Sequence, residues 1–212
     1  MPNVTRINGF KPVKHITGSP FNGQGTIYEV PAAETIPVFI GDLVQLSSNA
    51  PTGNYDSVKS ISTATTANNV AAVPVVGAIL GIFNSKVDVD GKMTTGTVAL
   101  DVPIFRPAST KAFVLVADAP DLIYETTASA VVAQASIGLN VDIASADETT
   151  SGALNTGSSP MTVAVTAPTS SATRPLQILG FVPRVDNDPL SVNARVYVRI
   201  TTHAYGNAIA GV

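Results

Sequence analysis

The residues best placed for chemistry are two aspartates either side of a proline, Asp118-Ala-Pro-Asp121. Two carboxylates at that spacing could chelate a cation or share acid and base duties. Aspartates beside a turn more commonly accept hydrogen bonds from the turn's own N–H groups, and that is the reading adopted. Asp88-Val-Asp90-Gly91 opens like a calcium loop, but Lys92 follows and no Glu stands at the twelfth position, so a type I′ hairpin turn is the better account. His15 and His203 are the only histidines, and there is no cysteine. Thiolate chemistry and disulfides are therefore excluded, and zinc lacks its usual ligands. There is no G-x-S-x-G elbow and no phosphate-cradling G-x-x-x-x-G-K-[ST]. Asn3-Val4-Thr5 matches a glycosylation acceptor, relevant only on a secretory route.

The segments that would hold those residues read as β-structure. Around the aspartates, Lys111–Glu125 gives an apolar run, a break and a second run, hence a strand, a sharp corner and a strand. Val114, Val116, Leu122 and Tyr124 are its core candidates. Ile36–Leu46 reads as strand, Gly41-Asp42 turn and strand. Val73–Phe83 reads as a buried bent strand or strand pair, with Gly77 and Gly81 as bulges or close-approach sites. Leu139, Val141 and Ile143 alternate with polar residues, predicting a half-buried strand. Met161–Thr166 and Leu176–Val182 add two more, and Arg195–Thr202 has the clearest period of two, with Val196, Val198 and Ile200 inward. Thr97–Phe105 is expected to be a strand. Residues 47–72 and 145–160 read as polar loops, the former with a weak strand near Val58–Ser62. Ala128–Ser136 is the one candidate helix.

Together these predict an all-β chain, an antiparallel β-sandwich or jelly-roll-like barrel over residues 37–212. Residues 1–36 show no sustained period and carry Gly, Pro or Asn every few positions. They read as an extended N-terminal arm. Arg6, Lys11 and Lys14 precede the first acid, Glu29, so the arm's start is basic in a chain whose net charge is −3. Arg6, Phe10, Lys11, Lys14 and His15 are its candidate contacts with other subunits, and removing residues 1–20 is expected to leave a folded domain.

Charged residues are only 13% of the chain, against about 25% in ordinary soluble domains. Ser, Thr, Asn and Gly supply the polarity instead, which suits a surface covered by other molecules. The acidic balance argues against nucleic acid as a partner. The longest apolar stretch, Val70–Phe83, is short for a membrane span and interrupted by Pro74, Gly77 and Gly81. With no signal-peptide pattern at the start, a cytoplasmic origin and no membrane role are expected.

In order along the chain, RINGFKPVKHITGSPFNGQ, FIGDLVQL, VPVVGAILGIF, KAFVLVADAPDLIYET, IGLNVDI, PLQILGFVPRVDN and ARVYVRITTHAYG resemble the head decoration (cement) or minor capsid proteins of tailed bacteriophages. The resemblance covers nearly the whole length and rests on the succession of β segments. It implies a structural virion protein, not an enzyme and without a cofactor. Such a protein would bind the outside of the capsid as a homotrimer, with the major capsid protein as its partner. A receptor- or carbohydrate-binding β-module is the alternative, weakened by the absence of Trp and an aromatic share of 6%. A hydrolase built on Asp118 and Asp121 is the third reading and the weakest.

Overall fold

The computed structural model describes residues 3–4, 7–51, 55–61, 74–83, 104–144 and 151–206. In these, short β-rich runs bounded by turn residues become eleven strands: β1 (Lys11–His15), β2 (Thr26–Val30), β3 (Leu43–Leu46), β4 (Val58–Ser60), β5 (Val75–Phe83), β6 (Ala112–Ala117), β7 (Leu122–Thr127), β8 (Asn140–Ala144), β9 (Thr162–Thr169), β10 (Leu176–Phe181) and β11 (Arg195–Ile200). One helix, α1 (Ser151–Thr156), and a 3-10 turn at Gln134–Ser136 complete the set. The strands form a six-stranded sheet, β1-β7-β11-β10-β8-β9, and a five-stranded sheet, β2-β6-β5-β3-β4. Every neighbouring pair within them is antiparallel. The expected all-β, two-sheet antiparallel architecture is present.

The corner after β6 joins the two layers. β6 lies in the five-stranded sheet and β7 in the six-stranded one, so residues 118–121 carry the chain from one to the other. Val114, Val116, Leu122 and Tyr124 are all within 1% of full burial. The Tyr124 hydroxyl satisfies itself on the Ala117 carbonyl at 3.0 Å, as a phenol in an apolar core must.

Alternation along the strands builds two cores. Leu43, Val75, Ala78, Ala117, Tyr124, Ile178 and Val198 pack between the sheets. Tyr28, Val44, Val58, Val76, Val114 and Val116 pack on the other face of the five-stranded sheet, which curls around them. Its edges meet where Glu29 and Ser57 form a parallel bridge, with Glu29 N donating to Asp56 O at 2.9 Å. Parity requires this: with five strands in alternating directions, the first and last run the same way.

Gly77 allows that curl. A Cβ there would sit 1.9 Å from the Ala117 carbonyl oxygen, so only glycine lets β5 approach β6 this closely. The register of the same pair slips between Ile79 and Gly81, the other glycine singled out as a bulge.

Several expectations are corrected. Residues 7–36 are not an extended arm: β1 pairs with β7, β2 pairs with β6, and Phe10, Tyr28 and Val30 are core residues. The surface that orders this segment is the chain's own pair of sheets. Ala128–Ser136 is not a helix; Ala128 N and Ser129 N instead bond to Ala194 O and Val163 O, and only the last three residues make a 3-10 turn. Tertiary pairing there overrides the helix preference of alanine. The loop expected over 145–160 contains α1. β8 is not half-buried, because Asn140 and Asp142 are as covered as Val141 and Ile143. The weak strand near Val58 is β4. Residues 97–103 of the expected strand, the Asp88–Lys92 hairpin, residues 52–54, 62–72 and 145–150 of the polar loops and Arg6 lie outside the described residues.

Candidate functional site beside the first strand

A cavity of about 370 Å³ opens beside the start of β1, at the edge of the six-stranded sheet. Asn8 to Pro12 form one wall, Ile40 and Gly41 a second, Ile79 and Leu80 a third, and Glu125 to Thr127 with Arg184 and Arg195 the fourth. The first two walls approach through glycine. Gly9 has φ of +56°, and a Cβ on it would meet Gly41 O and the Ser159 side chain at 2.5 Å. Phe10 N donates to Gly41 O at 2.9 Å and fixes this approach.

Charge in the cavity is asymmetric. Glu125, nearly buried, accepts from Arg195 Nη1 at 2.5 Å and from Arg184 Nη2 at 3.1 Å. Lys11 stands opposite Glu125 in the β1–β7 register and is exposed. Two arginines thus share one carboxylate, with a third cation, Lys11, lining the same cavity. Two polar atoms on cavity residues, Arg195 Nη2 and Thr126 Oγ1, are buried without a protein partner.

A second polar cluster holds the inter-sheet corner. Tyr28 donates to Asp118 Oδ2 at 3.0 Å, and its oxygen lies 3.2 Å from that of Tyr205. Burial, then the bonds to Tyr205 and Asp118, raises the Tyr28 pKa well above the ordinary phenol value. His203 Nδ1 accepts from Tyr205 N at 3.1 Å, and burial lowers the pKa of this imidazole although Asp118 pulls the other way. On the corner's opposite side, His15 Nδ1 lies 3.0 Å from both Asp121 oxygens. The two aspartates therefore serve different strands, and neither the shared acid–base pair nor a turn capping its own N–H groups describes them.

Two further buried ionisable groups are structural. Arg106 is 0% exposed and donates to four carbonyls, those of Thr110, Ile36, Pro31 and Glu34, at 2.5–2.8 Å. It fastens the 31–36 connection to the 104–110 connection, and burial lowers its pKa while Glu34 opposes this. Asp42 is also fully buried; its Oδ2 accepts from Phe39 N at 2.8 Å, and burial raises its pKa to about 7 against the Ser159 and Phe39 contacts.

The residues singled out in the opening segment have separate surroundings. Phe10 is 1% exposed in the core and so is unavailable to another subunit. Lys11 lines the cavity, Lys14 lies 5.4 Å from the Tyr197 ring centroid, and His15 is committed to Asp121. The sequence reading missed Glu125, Arg184, Arg195 and Arg106. A lone acid within LIYETT was the one usable signal, since an unpaired carboxylate amid strand residues needs cations brought from elsewhere. Among the described residues no three His, Asp or Glu side chains gather as a metal site. The described residues thus make a two-sheet all-β protein with a charged cavity and a polar corner. No family model, curated protein or solved structure matches it.

Proposed function

We propose that the chain is a structural virion protein, binding the outside of a phage capsid as a homotrimer and reinforcing contacts within the shell of major capsid protein. The observation that carries this reading is a group of apolar side chains held out to solvent on the β10–β11 connection. Val185 is 107% exposed, Leu190 74% and Val192 49%, and Val4, 71% exposed, follows Asn3 beside them. Exposed aliphatic side chains grouped on one loop are the usual mark of a contact surface.

The loop is stiff, which favours association. Asn187 Nδ2 donates to Val182 O and Arg195 O while its Oδ1 accepts from Arg195 N. Asn3 repeats the arrangement from the other end of the chain, accepting from Asp188 N and donating to Asp188 O and Val192 O. A loop ordered beforehand loses little entropy on docking. At roughly 25 cal/mol per Å² of apolar area, burial repeated over many copies makes a durable layer. In this reading the contact with the shell lies on the loop, not on a free arm.

The test is light scattering of the purified chain, then co-sedimentation with empty heads. The expected result is a trimer that pellets with heads. A Val185→Asp/Leu190→Asp variant should lose binding at least tenfold while its unfolding midpoint stays put. A monomer that ignores heads would refute the proposal.

A further inference from the structure

We propose that the cavity beneath Lys11 is a binding site for a carboxylate carrying an aliphatic stem. The inference rests on the cavity alone and is independent of the capsid reading.

Three observations lead there. First, at about 370 Å³ the cavity falls within the range of small-ligand sites. Second, its charges do not cancel. Lys11, Arg184 and Arg195 face it with Glu125 as the single carboxylate, a local positive excess in a chain of net charge −3. Glu125 already has an arginine on each oxygen, so Lys11 and the remaining guanidinium hydrogens are left for an incoming anion. Third, Arg195 Nη2, on the same side as Glu125, has no protein partner. Buried polar atoms in folded proteins nearly always find a partner, and this one belongs to a residue lining the cavity.

The rest of the lining selects the kind of anion. Phe10, Pro12, Ile40, Ile79 and Leu80 make the remaining walls largely apolar. Inorganic phosphate would leave those walls against water and carry more charge than the site has donors to desolvate. A monoanionic carboxylate can accept from Lys11 and the guanidinium groups while its hydrocarbon stem covers the apolar wall. Such a group comes either as a free small acid or as the carboxylate of an extended peptide.

The probes are hexanoate, neutral hexanamide and inorganic phosphate, titrated into the ¹⁵N-labelled full-length chain and followed by NMR. Hexanoate should shift the amides of Gly9, Gly41 and Thr127 saturably, with Kd of about 1 mM or tighter, and the other two should bind about tenfold more weakly or not at all. Arg195→Gln risks unfolding by stranding Glu125. The double variant Lys11→Gln/Arg184→Gln removes two rim cations and leaves the Glu125–Arg195 pair; it should weaken hexanoate about tenfold with the unfolding midpoint unchanged. A short peptide ending in leucine, with free or amidated C-terminus, separates the sources. Preference for the free-acid peptide over hexanoate assigns a protein segment, and equal or better hexanoate binding assigns a small acid. No saturable shift, equal response to hexanamide or phosphate, or a double variant that binds like the parent would each overturn the proposal.

Discussion

Tyr28 and Asp118, 90 positions apart, meet at 3.0 Å and tie β2 to the corner where the chain changes sheets. The corner is thus held by a side chain from the segment that the sequence assigned to an arm. Tyr28→Phe keeps the ring and removes the bond. It should lower stability by about 1–2 kcal/mol in urea unfolding, with Tyr205→Phe, at a half-exposed ring, costing less. Equal effects of the two would show that the bond does not hold the corner.

Two glycines of β5 should respond oppositely to a methyl group. Gly77→Ala drives a Cβ against the Ala117 carbonyl and should cost about 3 kcal/mol or more, or block folding. Gly81→Ala meets nothing nearer than the Phe83 ring at 3.8 Å and should be neutral, or stabilising by about 0.5–1 kcal/mol. Matching unfolding curves for the two variants would contradict the close approach of β5 to β6.

Asp42 predicts a pH dependence of definite sign. Its pKa rises from 3.8 to about 7 on folding, so between those values the native chain keeps a proton that the unfolded chain has released. Its contribution is complete below the unfolded value and fades as pH climbs through the folded one. His203 acts the other way: its lowered pKa gives a contribution present above 6.5 and lost as pH falls. Asp42→Asn isolates the first effect, because Asn can still accept from Phe39 N. The variant should match the parent in acid and become more stable than it above neutrality, by a few kcal/mol. A stability difference that stays flat with pH would count against it.

The opening residues should prove structural. Phe10→Ala removes a fully buried ring and should cost about 3–5 kcal/mol. Deleting residues 1–20 removes β1 and Phe10 together, so circular dichroism and unfolding curves should report a loosened or unfolded domain. A truncated chain as stable as the whole would restore the arm interpretation.

Those outcomes bear on what the sequence makes legible. Local alternation was enough for β11 and for the β6-corner-β7 unit, because a period of two and Asp/Pro punctuation are properties of neighbouring residues. Gly77 and Gly81 were readable for the same reason, as breaks in an apolar run. β1 and β2 were not. KPVKH and TIYEV are five residues each, and their strand state comes from β7 and β6, more than 80 positions away. The charged cavity was hidden more deeply still. Glu125, Arg184 and Arg195 meet only after β7, β11 and the β10–β11 loop assemble, and beyond the lone acid in LIYETT nothing in their local spacing announces it. Arg106 was equally silent, since a cage of carbonyls is made by backbone that any residue could supply.

The meeting of Glu29 with Ser57 also restricts how neighbouring molecules can join. A curled layer whose first and last members already touch has few unclaimed backbone groups to offer a foreign strand. Along β1, the chain's own return through Ser19 and Phe21 occupies His15 N and Val13 O. Lateral growth by strand addition, the route to fibres, is thereby discouraged along these borders. A neighbouring molecule would have to meet this protein there through side chains and loops rather than through backbone pairing.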